Sequence, residues 1–240
     1  SYPNIGGIPW VFKNQQGMLD QWKNRFGLYV GQSKSEEDSL QKELEESSLL
    51  ESTKSRLKKR LNAKTDQRGR VEKLMSPLFS GQPAKKEALE ALQSKLPSGQ
   101  TLMGYYSNFL RDWCWGNEEN QLSLELIKEM LDPKTDLGMV LTLGAGACRL
   151  PYDIHQNLKP KLTLAVDINP FFFFAASKIL RGKSLEFYEF PLSPKSLASS
   201  AVLQKCEAPA PVSEGFYQLF ADGLNPPFKK QSFDTVISPW

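Results

Sequence analysis

The sequence predicts an α/β fold in two parts: a helical N-terminal region, residues 1–132, and an α/β half, residues 133–240, built on a parallel sheet. Two observations carry this. The first part holds long stretches with apolar side chains at helical spacing. After Pro133 the period shortens to the apolar runs "MVLTL", "KLTLAV", "FYQLF" and "FDTVI", each followed by a turn or a helical segment. Strands alternating with helices make βαβ units.

Taken in order, "SYPNIGGIPWVF" (1–12) sets Pro3, Asn4, Gly6 and Gly7 between short apolar stretches, the pattern of a small hairpin or strand end. "NQQGMLDQWKNRFGLYV" then places Leu19, Trp22, Phe26 and Val30 at helical spacing. From Ser35 to Ser76 the only glycine is Gly69, so one long or two shorter amphipathic helices are expected. Their charges run acidic first and basic later, an order that suits a helix dipole. The basic stretch "KSRLKKRLNAKTDQRGR" reads as a solvated helix face, with phosphate contact as the alternative. "GQPAKKEALEALQSKL" is a further helix, closed by Pro97, Ser98 and Gly99. "YYSNFLRDWCWG" and "NEENQLSLELIKEML" give two more, the second capped at Asn117 with Glu118 and Glu119 in its first turn.

The bulk numbers narrow the classes. A net charge of +3 over 240 residues is too small to argue for nucleic acid by itself. There is no apolar run of membrane-spanning length and no secretory h-region, so no membrane association is expected. Cys114, Cys148 and Cys206 are widely spaced, which predicts neither a disulfide framework nor a metal pair, and suits a reducing, cytoplasmic setting. The chain starts at Ser1 and stops at Trp240 inside an apolar run, so it reads as a fragment with an incomplete sheet.

The chemistry sits in "VLTLGAGACRL", a strand running into a glycine-rich turn and then a helix. Gly144 and Gly146 allow close approach of a ligand to the backbone, and the following helix aims free N–H groups at it. The second strand ends at Asp167, where a carboxylate can accept from both hydroxyls of a ribose. The third ends at Asp222, an acceptor for an adenine amino group. A dinucleotide fingerprint is not met, because Arg149 stands where its third glycine belongs.

Glycine loop, acid and second acid in this order resemble the class I S-adenosylmethionine-dependent methyltransferases over residues 138–240. The resemblance implies a Rossmann-like sheet and S-adenosyl-L-methionine as cofactor. It would be held by Gly144, Ala145, Gly146, Asp167, Ile168, Asn169, Asp222 and Gly223. Arg149 either clamps the methionine carboxylate or is exposed on its helix. "GAGACRLPYDI", "DINPFFFFAASKIL" and "YYSNFLRDWCWGNEEN" are similar to the carnosine N-methyltransferase-like group, with Arg111 near the carboxylate end and Arg111, Asp112, Trp113 and Trp115 either a lid or ordinary packing. Two departures stand out: Cys148 replaces a usual third glycine, and Asp-Ile-Asn replaces the usual Gly-Asn-Glu. The opening segment resembles the closing strand of zinc-ribbon domains associated with methyltransferases, and no metal site is assigned.

Asn225, Pro226, Pro227 and Phe228 look like a catalytic tetrapeptide, but that motif belongs after the fourth strand, so here they read as a structural turn. The substrate-facing candidates become Ser238, Pro239 and Trp240. His155 is expected to pack or face solvent, and Phe171 or Phe172 to line an adenine pocket. The resulting expectation is a methyltransferase acting on a small-molecule or peptide amine or imidazole. The alternatives are an RNA methyltransferase guided by residues 54–70 and a non-catalytic methyltransferase-fold binding module.

Overall fold

A computed structural model describes residues 2–79, 101–132 and 135–238. The predicted helix of residues 81–96, and Pro133, Pro239 and Trp240, lie outside them. Residues 4–9 form the predicted hairpin, strands β1 (Asn4–Ile5) and β2 (Ile8–Pro9) turning at Gly6 and Gly7. Helix α1 (Gln15–Leu44) starts where Asn14 Oδ1 accepts from the Gly17 N–H at 2.9 Å. Helix α2 (Glu51–Met75) follows a short turn.

The acidic-then-basic order has a different cause from the one expected. The acids lie in the C-terminal half of α1, where a dipole disfavours them. They face the bases of α2 instead: Glu36 pairs with Lys64 at 2.7 Å, and Glu37 takes two bonds from Arg68 at 2.8 and 3.0 Å. Much of the basic stretch is committed in this way. Lys59 donates to the carbonyls of Leu197 and Ala198, and Arg70 pairs with Asp66 and Glu186.

Helix α3 (Tyr106–Leu110) widens into a π-helical turn, Arg111–Trp115, before helix α4 (Asn117–Met130). Asn117 does not cap α4; Gly116 holds the cap position, and Asn117 Oδ1 accepts from Arg149 Nη1 at 3.2 Å.

Strands β3 (Met139–Leu143), β4 (Leu162–Asp167), β7 (Phe216–Phe220) and β8 (Thr235–Ile237) form a parallel sheet in the order β7-β4-β3-β8. Helices α5 (Arg149–Leu158) and α6 (Pro170–Ile179) are the crossovers on either side of β4. Side chains alternate across the sheet as its period of two requires. Val140 packs with Ile154 of α5, and Ala165 with the core around Phe171 to Phe174 of α6. Leu141, Val166 and Leu219 face the other way, onto Phe228 and Phe233 of the loop between β7 and β8. One face is thus covered by helices and the other by that loop. Val11 N donates to the Phe220 carbonyl at 2.8 Å, so the N-terminal segment runs along the β7 edge.

Two features were not expected. Strands β5 (Leu185–Glu189) and β6 (Val202–Cys206) form a separate antiparallel pair between α6 and β7. The expectation of no disulfide is also corrected. Cys114 and Cys206 are bonded across 92 positions, because β6 ends beside the π-helical turn. Among the described residues, no helix is long and apolar enough to cross a membrane.

Candidate functional site

A cavity of about 560 Å³ opens at the carboxyl end of β3, where the sheet order turns from β4 on one side to β8 on the other. Parallel α/β sheets bind ligands at such a point, since the crossovers leave there in opposite directions. Gly144, Ala145, Gly146 and Ala147 form its floor. Gly144 and Gly146 have φ of +64° and +52°, and a Cβ on either would meet nothing within 4 Å. Those hydrogens are therefore open towards the cavity, and the left-handed backbone exposes the main chain. Cys148 shares this conformation at φ +63°, so it occupies the place of a glycine without being one.

Asp167 ends β4 and braces the loop. Its Oδ2 accepts from the Gly146 N–H at 2.7 Å and its Oδ1 from the Asn169 N–H at 2.8 Å. Burial pushes its pKa up, and those backbone donors oppose the shift. The Ile168 N–H is a third backbone donor to it, and with about four lone-pair sites the carboxylate still retains acceptor capacity. Asn169 lines the cavity, and its Oδ1 also caps α6 by accepting from the Phe171 N–H at 3.0 Å. Phe172 lines the cavity, while Phe171 is packed in the aromatic cluster with Phe109 and Phe187.

The opposite wall comes from the helical region. Tyr105, Asn108, Phe109, Arg111 and Asp112 line it, with Asn120 and Ser123 of α4. The Trp113 indole N–H donates to the Ala147 carbonyl at 2.8 Å, fastening the π-helical turn to the glycine loop. Arg111 is half-buried and bonded to Asp112 Oδ1 at 2.8 Å. Burial raises the Asp112 pKa, with Arg111 pulling the other way. Trp115 is exposed and does not line the cavity.

Several sequence expectations are redirected. Arg149 reaches the cavity, but it is buried, not exposed on its helix. Its Nε bonds Asp153 at 2.8 Å and its Nη1 the Asp112 carbonyl at 2.7 Å, over the Trp113 ring. Nη1 therefore holds the π-helical turn in place, while Nε is held by Asp153 on the same helix. Asp222 and Gly223 are not among the cavity-lining residues. Asp222 organises its own loop, accepting from the Leu224 N–H at 2.9 Å and from Asn225 Nδ2 at 3.1 Å. Ile168 packs into the core beside the loop, and Ser238 is exposed past β8, away from the lining. The Asn225 to Phe228 stretch is a turn, with Phe228 edge-on to Phe233 at 4.9 Å. His155 packs: Nδ1 meets Thr163 Oγ1 at 2.9 Å and Nε2 the Glu214 carbonyl at 3.0 Å.

Sequence reasoning missed Asp153, Asn120 and Ser123. Asp153 was findable as the i+4 partner of Arg149. Nothing local marks Asn120 or Ser123, which arrive through the packing of α4 on α5. No family model and no curated protein matches this chain.

Proposed function

We propose that this chain is an S-adenosyl-L-methionine-dependent methyltransferase of the Rossmann-like class I type, acting on an amine or imidazole nitrogen of a small molecule or peptide. The observation that carries the reading is the glycine loop: two left-handed glycines open to a cavity at the turning point of a parallel sheet, braced by the acid that ends the next strand. In chain order the four parallel strands run third, second, first, fourth, which agrees with a doubly wound sheet.

The residues present fit the cofactor. Gly144 and Gly146 leave room for close backbone approach, and Asp167 keeps free acceptor sites for ribose hydroxyls. Cys148 in the left-handed region gives the loop the geometry of a third glycine. The bound cofactor supplies a methyl group already activated by its sulfonium. The protein then has to align the acceptor, exclude water and dispose of a proton. Arg111 and Asp112 on the π-helical turn cover the loop from above the cavity. Asp112, on the wall facing the loop, is the carboxylate at hand to take that proton or to hold a cationic acceptor. The RNA alternative loses support, since Lys59, Lys64, Arg68 and Arg70 are engaged within the fold.

Calorimetric titration with S-adenosyl-L-methionine tests the reading. Saturable binding is expected, weakened at least about ten-fold in Asp167→Ala. No binding to the folded protein sinks the proposal. Binding without transfer to any amine or imidazole acceptor would leave the non-catalytic module.

A further inference from the structure

We propose that Cys114–Cys206 is a redox-modification site: a disulfide that latches one wall of the cavity and is opened by a dithiol reductant through Cys114. Its placement carries the proposal. Cys114 lies in the π-helical turn whose Arg111 and Asp112 line the cavity and whose Trp113 holds the glycine loop. Cys206 ends β6, and the next residue makes a second tie to the same turn, Glu207 N–H to the Trp113 carbonyl at 3.2 Å. The β5–β6 pair is itself anchored to α2, through Arg70 to Glu186 and the Tyr188 N–H to Gln67 Oε1 at 2.8 Å. The disulfide therefore joins a cavity wall to an element held from the far side by α2.

The two sulfurs differ in access. Cys206 is fully buried, whereas Cys114 is partly exposed, so an incoming thiolate meets Cys114 first. The thiolate attacks Cys114 Sγ, the bond between the two cysteines breaks, and its electron pair leaves on Cys206, which takes up a proton. The second thiol of the reductant attacks the mixed disulfide and releases Cys114 as a thiol. Two electrons pass to the protein, and the dithiol leaves as a disulfide. Cys148 does not compete: it is buried, accepts from Gln218 Nε2 at 3.5 Å, and burial pushes its thiol pKa up. In compartments that keep thiols reduced, protein disulfides are mostly transient and redox-sensing. Once reduced, the turn keeps its hydrogen bonds but loses its covalent tie, so local opening becomes easier and the wall is less preorganised.

Hydrogen-exchange mass spectrometry on the whole chain, oxidised and after dithiothreitol, tests this without reference to what the cavity binds. In the oxidised protein, non-reducing peptide mapping should find the bond between Cys114 and Cys206. After reduction, amides of residues 109–117 should exchange at least about ten-fold faster, and reoxidation should restore slow exchange. Cys114→Ser, at the partly exposed position, should exchange at the fast rate with or without reductant; Cys206→Ser should match it. Free thiols at both positions in the oxidised protein would overturn the proposal, as would equal exchange before and after reduction.

Discussion

Asp167 shows how one side chain can serve structure and ligand together. Its two oxygens fix the N–H groups of Gly146 and Asn169, which sets the loop before any ligand arrives. Asp167→Asn turns one acceptor into a donor facing a backbone N–H. The expected cost is about 1–3 kcal/mol, read as a lower urea midpoint at unchanged slope. Gly146→Ala separates the two roles. Its Cβ enters open space, so only the positive φ is strained, at about 1–2 kcal/mol. The protein should stay folded by circular dichroism while cofactor affinity falls at least about ten-fold, because the new methyl stands in the cavity. Full affinity in that variant would mean that nothing approaches the loop there. These residues were legible because a glycine turn after a strand, and an acid ending the next strand, are local patterns. The fate of Arg149 was not legible: its partners Asp112 and Asn117 come from another part of the chain.

Between elements, the α1–α2 hairpin rests partly on charge pairs that a single-helix reading misassigns. Arg68 binds Glu37 through two nitrogens and Glu72 through a third contact at 3.2 Å, all in partly buried surroundings. Arg68→Ala leaves those carboxylates without their donor and should cost about 1–3 kcal/mol in chemical denaturation. Arg68→Lys should recover only part of this, since a lysine cannot make the two-pronged contact. A sequence window shows the acids and the bases, but only the antiparallel return of α2 decides that they meet. Strands β5 and β6 escaped notice for the same kind of reason. "LEFYE" and "VLQKC" each carry weak alternation, and their pairing spans a connection without a turn signal of hairpin length.

Across the whole molecule, the cavity acids set a pH dependence. Asp112, Asp153 and Asp167 all have pKa values raised by burial above the ordinary 3.8. The folded state therefore holds their protons more tightly than the unfolded chain does. Their contribution to stability is full below the unfolded value and is lost as pH rises through the raised folded values. Glu37 runs the other way: its hydrogen bond from Arg68 lowers its pKa below 4.5, so its contribution is present above that value and lost as pH falls. Denaturation midpoints measured from pH 4 upward should fall less steeply in Asp112→Asn than in the unchanged chain. In Glu37→Gln the loss on acidification should shrink.

By itself, the sequence determined the order of the parallel strands along the chain, the glycine loop, and the acid that follows it. These follow from periodicity, backbone permissiveness and residue chemistry, all of which act within a few positions. The tertiary structure alone decided that β8 takes the side of β3 away from β4, that Arg149 locks the π-helical turn, that Asp222 serves its own loop, and that Cys114 meets Cys206. Each of these is a contact between distant parts of the chain. Such contacts are chosen by how buried faces and unsatisfied polar groups fit once the core has formed, and no local stretch contains that information.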